Sequence, residues 1–344
     1  MLDLNKTGKT NSGIFGLDYT FDDSEVVFIP GSWDACSSFK KGSCTSAEKI
    51  KQYSPQCDLF HRDFPDFVYS GLHMLDTSKQ LIELNKKASV LADSIISIHE
   101  TSDEQISENL AAKLNDMTLK FNTYSKECND SLYNVAEKCI NANKLIGLIG
   151  GNHSCSFPII NALIDYVDSF CILQIDAHMD LRSEYQGFTY SHASVMNNCI
   201  ELDDISRLIQ VGVRDFCEEE YFKMKDSKGK IKTYFDQDIK YALFNGKTWD
   251  SICKKIINNC TQKVYVSIDM DGLTAQYCPN TGTLVPGGLT YDHIIYLIKL
   301  LSESKKTIIG FDIVEANGGF DSADIITATK LLYNLAGYSW ITHK

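Results

Sequence analysis

The chain lacks any apolar run of the length that crosses a membrane, and it lacks a pattern typical of a secretion signal. A membrane-spanning helix needs roughly 18 or more consecutive apolar residues, and no stretch here approaches that length. The first twenty residues contain no apolar segment of signal-peptide length after their charges. We therefore expect a cytoplasmic protein that has no membrane partner.

Basic residues are outnumbered, because 33 Lys and Arg face 45 Asp and Glu and the formal net charge is −12. Affinity for nucleic acid depends largely on Lys and Arg contacts to phosphates. The charge balance therefore argues against a nucleic-acid partner. It suits a cationic substrate or metal ions, although many unrelated cytoplasmic proteins are equally acidic.

Closely paired cysteines are also absent, since none of the 12 cysteines forms a C-x-x-C pair. Zinc knuckles and thioredoxin-type sites use that spacing, so neither is expected. In a chain of 344 residues, 12 cysteines do not predict a small disulfide scaffold. We interpret them, for example Cys139, Cys171 and Cys199, as reduced thiols that pack as small hydrophobic side chains.

The sequence has no clear linker, internal repeat or low-complexity tract, and 44% of its residues are hydrophobic. Large α/β domains reach this length as one folding unit. We therefore expect a single domain that extends over residues 1–344.

Six short apolar runs predict buried strands, because each is closed by polar or glycine residues. The runs are hydrophobic throughout rather than alternating, which is typical of a parallel sheet covered on both faces. They are Glu25–Gly31, Lys144–Gly151, Phe170–His178, Arg207–Asp215, Val264–Asp271 and Thr307–Glu315.

Helical patterns lie between these runs. Thr77–Ile98 and Ser102–Ala142 show amphipathic spacing with charged faces, and Thr290 is placed to cap a helix that extends to Ser304. Strands that alternate with helices favour an α/β fold with a doubly wound sheet.

Four of the predicted strands end in side chains that bind metals, and in such folds sites form at the carboxyl ends of strands. Alternate residues share one face of a strand, so side chains spaced by two point into one pocket where strand geometry continues. The side chains at these ends are Asn152 and His153, then Asp176, His178 and Asp180, then Asp269 and Asp271, and finally Glu315.

Two imidazoles and four carboxylates among the side chains at these strand ends form a candidate ligand set. Six ligands are too many for one ion that keeps an open position, and they suit two divalent ions bridged by shared carboxylates. These ligand types favour Mn²⁺ without excluding Ni²⁺ or Co²⁺. Any one acidic pair alone is more often an ordinary surface feature, but their joint position at strand ends is specific. The six are His153, Asp176, His178, Asp180, Asp269 and Asp271.

Five segments together resemble the successive signatures of the arginase/agmatinase, or ureohydrolase, superfamily. Their order and spacing match, and the resemblance covers most of the chain from about Lys144 onward, with a weaker echo at Ile29–Ile50. The segments are GGNHS (Gly150–Ser154), DAHMD (Asp176–Asp180), SIDMD (Ser267–Asp271), NTGTLVPGGL (Asn280–Leu289) and DIVEAN (Asp312–Asn317).

This resemblance implies a three-layer α/β/α fold, the arginase-like fold, with a central, mainly parallel sheet and a binuclear Mn²⁺ centre. Family members are commonly trimers or hexamers, so a homo-oligomer is also implied. In the implied assignment, one ion is held by His153, Asp176, Asp180 and Asp269, and the other by Asp176, His178, Asp269 and Asp271.

The resemblance also implies catalytic roles for three residues. Asp180 orients the bridging hydroxide, His192 matches a histidine that shuttles protons, and Glu315 matches the carboxylate that pairs with the substrate guanidinium. The roles of His192 and Glu315 are chemically sensible. Histidine titrates near neutral pH, and a carboxylate binds a planar guanidinium through two parallel hydrogen bonds. The implied reaction is attack of the hydroxide on the guanidinium carbon, followed by release of an amine and urea.

Agmatine is the expected substrate, with putrescine as the amine product. Asp180–Met196 resembles agmatinases, and Cys217 stands where arginases carry an acidic residue that holds the α-amino group of arginine. Other guanidino compounds remain open, namely guanidinobutyrate, guanidine, arginine and formiminoglutamate. A non-catalytic metal-binding relative is also open, although retention of every implied ligand argues against it.

Three departures from the family pattern indicate a divergent branch, and none removes an implied ligand. Asn152 replaces an Asp, Thr274-Ala275 replaces Asp-Pro, and Leu284 replaces a Pro. The segment Ser102–Ala142 is longer than the family core needs, and we expect it at a subunit interface or beside the pocket mouth.

Three other features are interpreted as structural. Trp33 is expected to pack in the interior, Glu218–Glu220 to form a solvated charge run, and Arg182 to pair with Glu184 or a neighbour.

Overall fold

A computed structural model describes residues 8–9, 12–101 and 107–344. In this part of the chain eight strands form one sheet, and every neighbouring pair is parallel. The predicted α/β class with a central, mainly parallel sheet is confirmed. The strands are β1 (Val26–Pro30), β2 (Leu72–Met74), β3 (Leu145–Ile149), β4 (Phe170–Ile175), β5 (Ile205–Val213), β6 (Ile231–Phe235), β7 (Lys263–Asp269) and β8 (Thr307–Val314).

The order of strands across the sheet places the candidate ligands together. The order is β2-β1-β3-β8-β7-β4-β5-β6, so the four strands that lead into candidate site residues, β3, β8, β7 and β4, are consecutive at its centre. Because all of them run in the same direction, their carboxyl ends meet at one edge of the sheet.

All six predicted strands are present, each within a few residues of its expected bounds. The sequence patterns missed β2 and β6, the two edge strands. Strand β2 has only three residues, and β6, with the sequence IKTYF, is mostly half-exposed and lacks a continuous apolar run. Edge strands are only partly covered, so a pattern based on complete burial does not detect them.

Helices cover both faces of the sheet and confirm the three layers. One core contains side chains of α1, α8, α9 and α10, and the second contains side chains of α2 to α5. The helices are α1 (Ser46–Tyr53), α2 (Lys79–Thr101), α3 (Glu108–Asn141), α4 (Ser156–Ile164), α5 (Val195–Ile200), α6 (Glu218–Asp226), α7 (Asp236–Phe244), α8 (Trp249–Asn259), α9 (Tyr291–Glu303) and α10 (Ala323–Ile341).

The expected helices agree with these bounds where the chain is described. The helix expected at Ser102–Ala142 is α3, and residues 102–106 of that prediction lie outside the described residues. The Oγ1 of Thr290 accepts the N–H of His293 at 3.2 Å, which confirms the predicted cap of α9.

The cysteines also match the prediction. All 12 cysteines are free, and all except Cys44 and Cys217 are buried. Separately, none of the helices in the described ranges is both long and apolar enough to cross a membrane.

A glycine turn directs the chain from β3 into the candidate site. Gly150 and Gly151 have φ values of +77° and +72°, which side chains with a Cβ rarely adopt. A Cβ on Gly151 would lie 2.5 Å from the carbonyl oxygen of Gly31 and 2.7 Å from that of Trp33. The turn therefore needs glycine both for its backbone conformation and for the close approach of the segment after β1.

Replacing Gly151 with alanine is expected to destabilise the protein. Backbone strain alone costs on the order of 1–3 kcal/mol, and the contacts with two carbonyl oxygens add to that cost. The melting temperature measures the effect. Gly229→Ala is the matched control, because Gly229 has a φ of +88° and a Cβ there would meet no atom of the described residues within 4 Å. Equal losses in the two variants would contradict a role for the close approach.

Candidate metal centre and active site

The strand ends deliver the candidate ligands to one pocket. Asp269 is the last residue of β7, and His153 begins a short 3-10 helix directly after the glycine turn. Asp180 and Glu315 have φ values of +55° and +58°, although neither is glycine. Strained backbone of this kind persists where surrounding structure enforces it, and it is concentrated at functional sites.

The first group of ligands surrounds His153. Its Nδ1 lies 2.9 Å from Asp180 Oδ2, 3.0 Å from Asp176 Oδ2 and 3.4 Å from Asp269 Oδ2. This buried nitrogen has no hydrogen-bond partner within the described ranges. Three carboxylate oxygens that converge on one ring nitrogen form a set of donors that a divalent cation satisfies.

The other ring nitrogen of His153 is hydrogen-bonded to Ser267. Its Nε2 lies 2.9 Å from Ser267 Oγ, and Ser267 Oγ donates to Asp312 Oδ1 at 2.9 Å. This series of hydrogen bonds assigns the ring proton to Nε2 and leaves Nδ1 free to bind a metal. Metal-binding histidines commonly use such a partner on their second nitrogen.

The second group of ligands surrounds His178. Its Nδ1 lies 3.1 Å from Asp271 Oδ2 and 3.5 Å from Asp176 Oδ1. Ligand atoms of Asp176 therefore belong to both groups, each of which is compact enough to hold one ion. The structure thus brings all six sequence-predicted ligands together, with Asp176 between the two positions.

Hydrogen bonds fix the orientation of the shared carboxylate. Asp176 Oδ1 accepts the backbone N–H of His178 at 2.6 Å, and Oδ2 accepts Gln174 Nε2 at 2.7 Å. Gln174 Oε1 in turn accepts Gln210 Nε2 at 2.7 Å. The two glutamines are polar residues within the buried, apolar parts of their strands, and this was the signal from which their supporting role could have been inferred.

The electrostatics of the cluster also fit cations. Burial and the charge of Asp176 raise the pKa of Asp180 from 3.8 to about 7, and burial with Asp271 raises the pKa of Asp269 well above its usual value. Burial would lower the pKa of His178, but Asp271 and Asp176 outweigh it and raise that pKa to about 12. Negative charge is therefore crowded here, and two divalent ions would relieve the crowding.

The pocket above the ligands contains the remaining predicted catalytic residues. Glu315 is buried, its Oε1 accepts the N–H of His153 at 3.1 Å, and burial raises its pKa to about 8. Burial lowers the pKa of His192 to about 4, so its imidazole is neutral at pH 7. Side chains that the sequence patterns did not assign also line this pocket, namely Ser38, Tyr185 and Phe216.

One prediction about the pocket wall is wrong. Glu220 does not belong to a solvated charge run, because it is only 3% exposed. Its Oε1 accepts the N–H of Leu181 at 3.0 Å and its Oε2 accepts the N–H of Cys217 at 2.9 Å. The start of α6 turns this third glutamate inward, which a run of like charges does not reveal. Arg182 lies 4.0 Å from the same carboxylate.

Two other expectations concern residues near the pocket. Trp33 is 2% exposed and packs near Phe121, which confirms its interior role. Asn152 donates from Nδ2 to Cys36 Sγ at 3.0 Å and to Ser37 Oγ at 3.2 Å. The amide therefore supports the segment after β1, a contact that needs a donor and that an ionised Asp would not supply.

We expect Mn²⁺ to raise the melting temperature, and to raise it more at pH 8 than at pH 5.5. Folded Asp180 binds its proton more tightly than in the unfolded chain, so the metal-free protein loses stability as pH rises from 3.8 toward about 7. Metal must displace such protons, and a 100-fold excess over Kd stabilises by about 2.7 kcal/mol.

The measurement compares melting curves in Mn²⁺ and in a chelator for the native protein, His178→Ala and His99→Ala. His99 is exposed on α2, so its variant should keep the shift, whereas the His178 variant should lose most of it. A shift that is independent of pH, or equal in all three proteins, would contradict metal binding by this cluster.

Comparisons with known proteins agree with the geometry. Residues 24–337 match the Arginase family. The chain is 24% identical over 322 residues to N(1)-aminopropylagmatine ureohydrolase of Synechocystis sp., covering 93% of this chain and 90% of that protein. It is 32% identical over 203 residues to agmatinase of Pyrococcus horikoshii, covering 59% and 65%.

A solved structure shows the same likeness in three dimensions. The agmatine ureohydrolase of Thermoplasma volcanium superposes with a TM-score of 0.68 at 25% identity, covering 94% of this chain and 92% of that one. The resemblance to ureohydrolases is confirmed. With the family match extending over most of its length, the chain belongs to the arginase family.

Proposed function

We propose that this protein hydrolyses a guanidino compound, agmatine first, to an amine and urea. The observation that carries the proposal is the pair of ligand groups that share Asp176 below a pocket containing Glu315 and His192. The names of the similar proteins, agmatinase and N(1)-aminopropylagmatine ureohydrolase, support the same class of substrate. The product of agmatine would be putrescine, which places the reaction in polyamine metabolism.

The ligand set would hold two divalent ions, with Mn²⁺ as the first assignment and Ni²⁺ or Co²⁺ as alternatives. When bound, such a pair supplies a water that is ionised near neutral pH. Asp180 would hold an ion and would also accept a hydrogen bond from that water. Asp269, which lies in the first group, is assigned as the second bridging carboxylate.

Glu315 is suited to bind the guanidinium. Its carboxylate is buried, and its raised pKa shows that the pocket alone does not favour the charged form. A planar cation that donates two parallel N–H groups favours the ionised carboxylate and fixes the guanidinium plane.

His192 is suited to move a proton. It lies in the same pocket, and its Nδ1 has no hydrogen-bond partner among the residues described. Burial lowers its pKa to about 4, so the ring is neutral at pH 7 but is a weaker base than the histidine titrating near neutral pH that the sequence led us to expect. A neutral imidazole can accept a proton and pass it to the leaving amine.

The proposal treats residues 1–344 as one ureohydrolase domain of a cytoplasmic homo-oligomer, a trimer or a hexamer. The alternatives are the same chemistry on N(1)-aminopropylagmatine, guanidinobutyrate, guanidine, arginine or formiminoglutamate. Cys217 in the pocket wall supports a substrate that lacks the α-amino acid group of arginine.

Urea release by the purified protein with Mn²⁺ tests the activity across this panel of substrates. Turnover of agmatine should fall at least about 100-fold in His178→Ala, since that variant removes a metal ligand. His99→Ala is the control and should retain full activity. Absence of urea from every substrate, with two metals bound, would favour the non-catalytic alternative.

Glu315→Gln tests the guanidinium pair. The loss of a charge-assisted hydrogen bond, worth about 1.5–3 kcal/mol, should lower kcat/KM for agmatine about 10- to 150-fold while metal content stays at two ions. Glu303→Gln, at an exposed position of α9, is the matched control. Unchanged kcat/KM in Glu315→Gln would remove this residue from the substrate site.

A further inference from the structure

We propose that helix α3 positions one wall of the pocket through Asn122, and that this contact determines how tightly the protein holds the tail of its substrate. The wall is formed by residues 182–191, here called the pocket loop. The loop connects the metal ligand Asp180 to His192, and it carries Arg182 and Tyr185 in the pocket lining.

The pocket loop is a tight turn whose base faces the pocket. Tyr185 and Phe188 exchange backbone hydrogen bonds of 3.3 and 2.9 Å. Gln186 and Gly187 between them have φ values of +54° and +79°, which is the conformation of a two-residue hairpin turn. Any displacement of the turn tip is therefore transmitted to Tyr185 at its base.

Tyr185 links this turn to the pocket. Its ring lies 5.1 Å from the guanidinium carbon of Arg182 and 5.9 Å from the His192 ring, which it meets at 81°. These contacts fix a part of the pocket wall that is contributed by neither Glu315 nor the candidate ligands, and the proposal places the tail of a bound guanidino compound against it.

Asn122 of α3 clamps the tip of the turn with two hydrogen bonds. Its Nδ2 donates to the carbonyl of Gly187 at 3.0 Å, and its Oδ1 accepts the N–H of Thr189 at 3.2 Å. In the parts of the chain that are described, these two backbone groups make no other hydrogen bond. The side-chain amide thus makes the two hydrogen bonds that the backbone of a neighbouring strand would make.

Packing around the clamp comes from the same helix. Phe188 is fully buried, and its ring centroid lies 4.2 Å from that of Phe121. A Cβ on Gly187 would lie 3.0 Å from Thr118 Cγ2, so the turn is seated closely on α3. Residues 118, 121 and 122 share one face of the helix, because they are spaced by three and four.

A second helix holds the other side of the loop. Asn198 of α5 donates from Nδ2 to the carbonyl of Thr189 at 3.0 Å. The pocket loop therefore lies between two helices, and the part contributed by α3 is directed at the turn tip. This gives α3 a place beside the pocket mouth, one of the two positions expected for the segment Ser102–Ala142.

This role presupposes the ureohydrolase activity proposed above, so the test has one readout that does not depend on activity. Two variants remove or weaken the clamp. Asn122→Ala deletes both hydrogen bonds, and Asn122→Asp keeps the acceptor for Thr189 but turns a carboxylate toward the Gly187 carbonyl. Thr123→Ala is the control, because Thr123 is exposed and bonds only the Leu119 carbonyl of its own helix.

The first readout is amide hydrogen exchange of residues 185–189 in the Mn²⁺-loaded protein. Loss of hydrogen bonds worth about 0.5–1.5 kcal/mol each should speed exchange about tenfold in both Asn122 variants and leave Thr123→Ala unchanged. Metal content and melting temperature should stay close to those of the native protein. Unchanged exchange in Asn122→Ala would overturn the proposal.

The second readout compares the change in KM with the change in kcat. For agmatine, KM should rise about tenfold in the Asn122 variants while kcat changes less than twofold; guanidine, which has no tail, should show no change. Equal losses on both substrates would indicate a general structural defect and overturn the role in tail binding. If the native protein releases urea from no substrate of the panel, the proposed function fails, and exchange alone decides whether Asn122 positions the loop.

Discussion

The structure depends on the crowding of four buried carboxylates with a buried and a partly buried imidazole at the carboxyl ends of the central strands. Isolated buried charges are strongly unfavourable in a protein interior, and they persist only where they are paired or bind metals. The raised pKa values of Asp180 and Asp269 reflect the cost of burying carboxylates close to one another. The arrangement suits bound positive charge, and hydrogen bonds around it hold the carboxylates in fixed orientations.

Hydrogen bonds to the candidate ligands from neighbouring polar side chains hold these ligands in fixed orientations. Gln174 and Gln210 fix the Asp176 carboxylate, while Ser267 and Asp312 fix the ring of His153. Asp180 and Glu315 hold a backbone conformation that ordinary side chains avoid. Local conformational preference has been overridden where tertiary contacts enforce the geometry of a site.

Much of this could be predicted from sequence because the central strands are mostly apolar and end abruptly in candidate ligands. The joint position of His153, of Asp176, His178 and Asp180, and of Asp269 and Asp271 at the ends of predicted strands indicated a candidate centre. The edge strands β2 and β6 were missed, since incomplete burial removes the apolar signal. The inward turn of Glu220 and the contact of Asn122 with the pocket loop were also not predictable, because both depend on how a helix is rotated against its neighbours.

The ligands come from strands that are neighbours in space but remote along the chain. Strand β3 pairs directly with β8, so that Gly147 lies opposite Phe311. Contacts of such high sequence separation form late and slow the search for the native state. No partial chain that stops before β8 can contain the finished centre. If the proposed ions bind here, they can be held only after β8 has taken its place between β3 and β7, so metal loading would favour whole molecules over fragments.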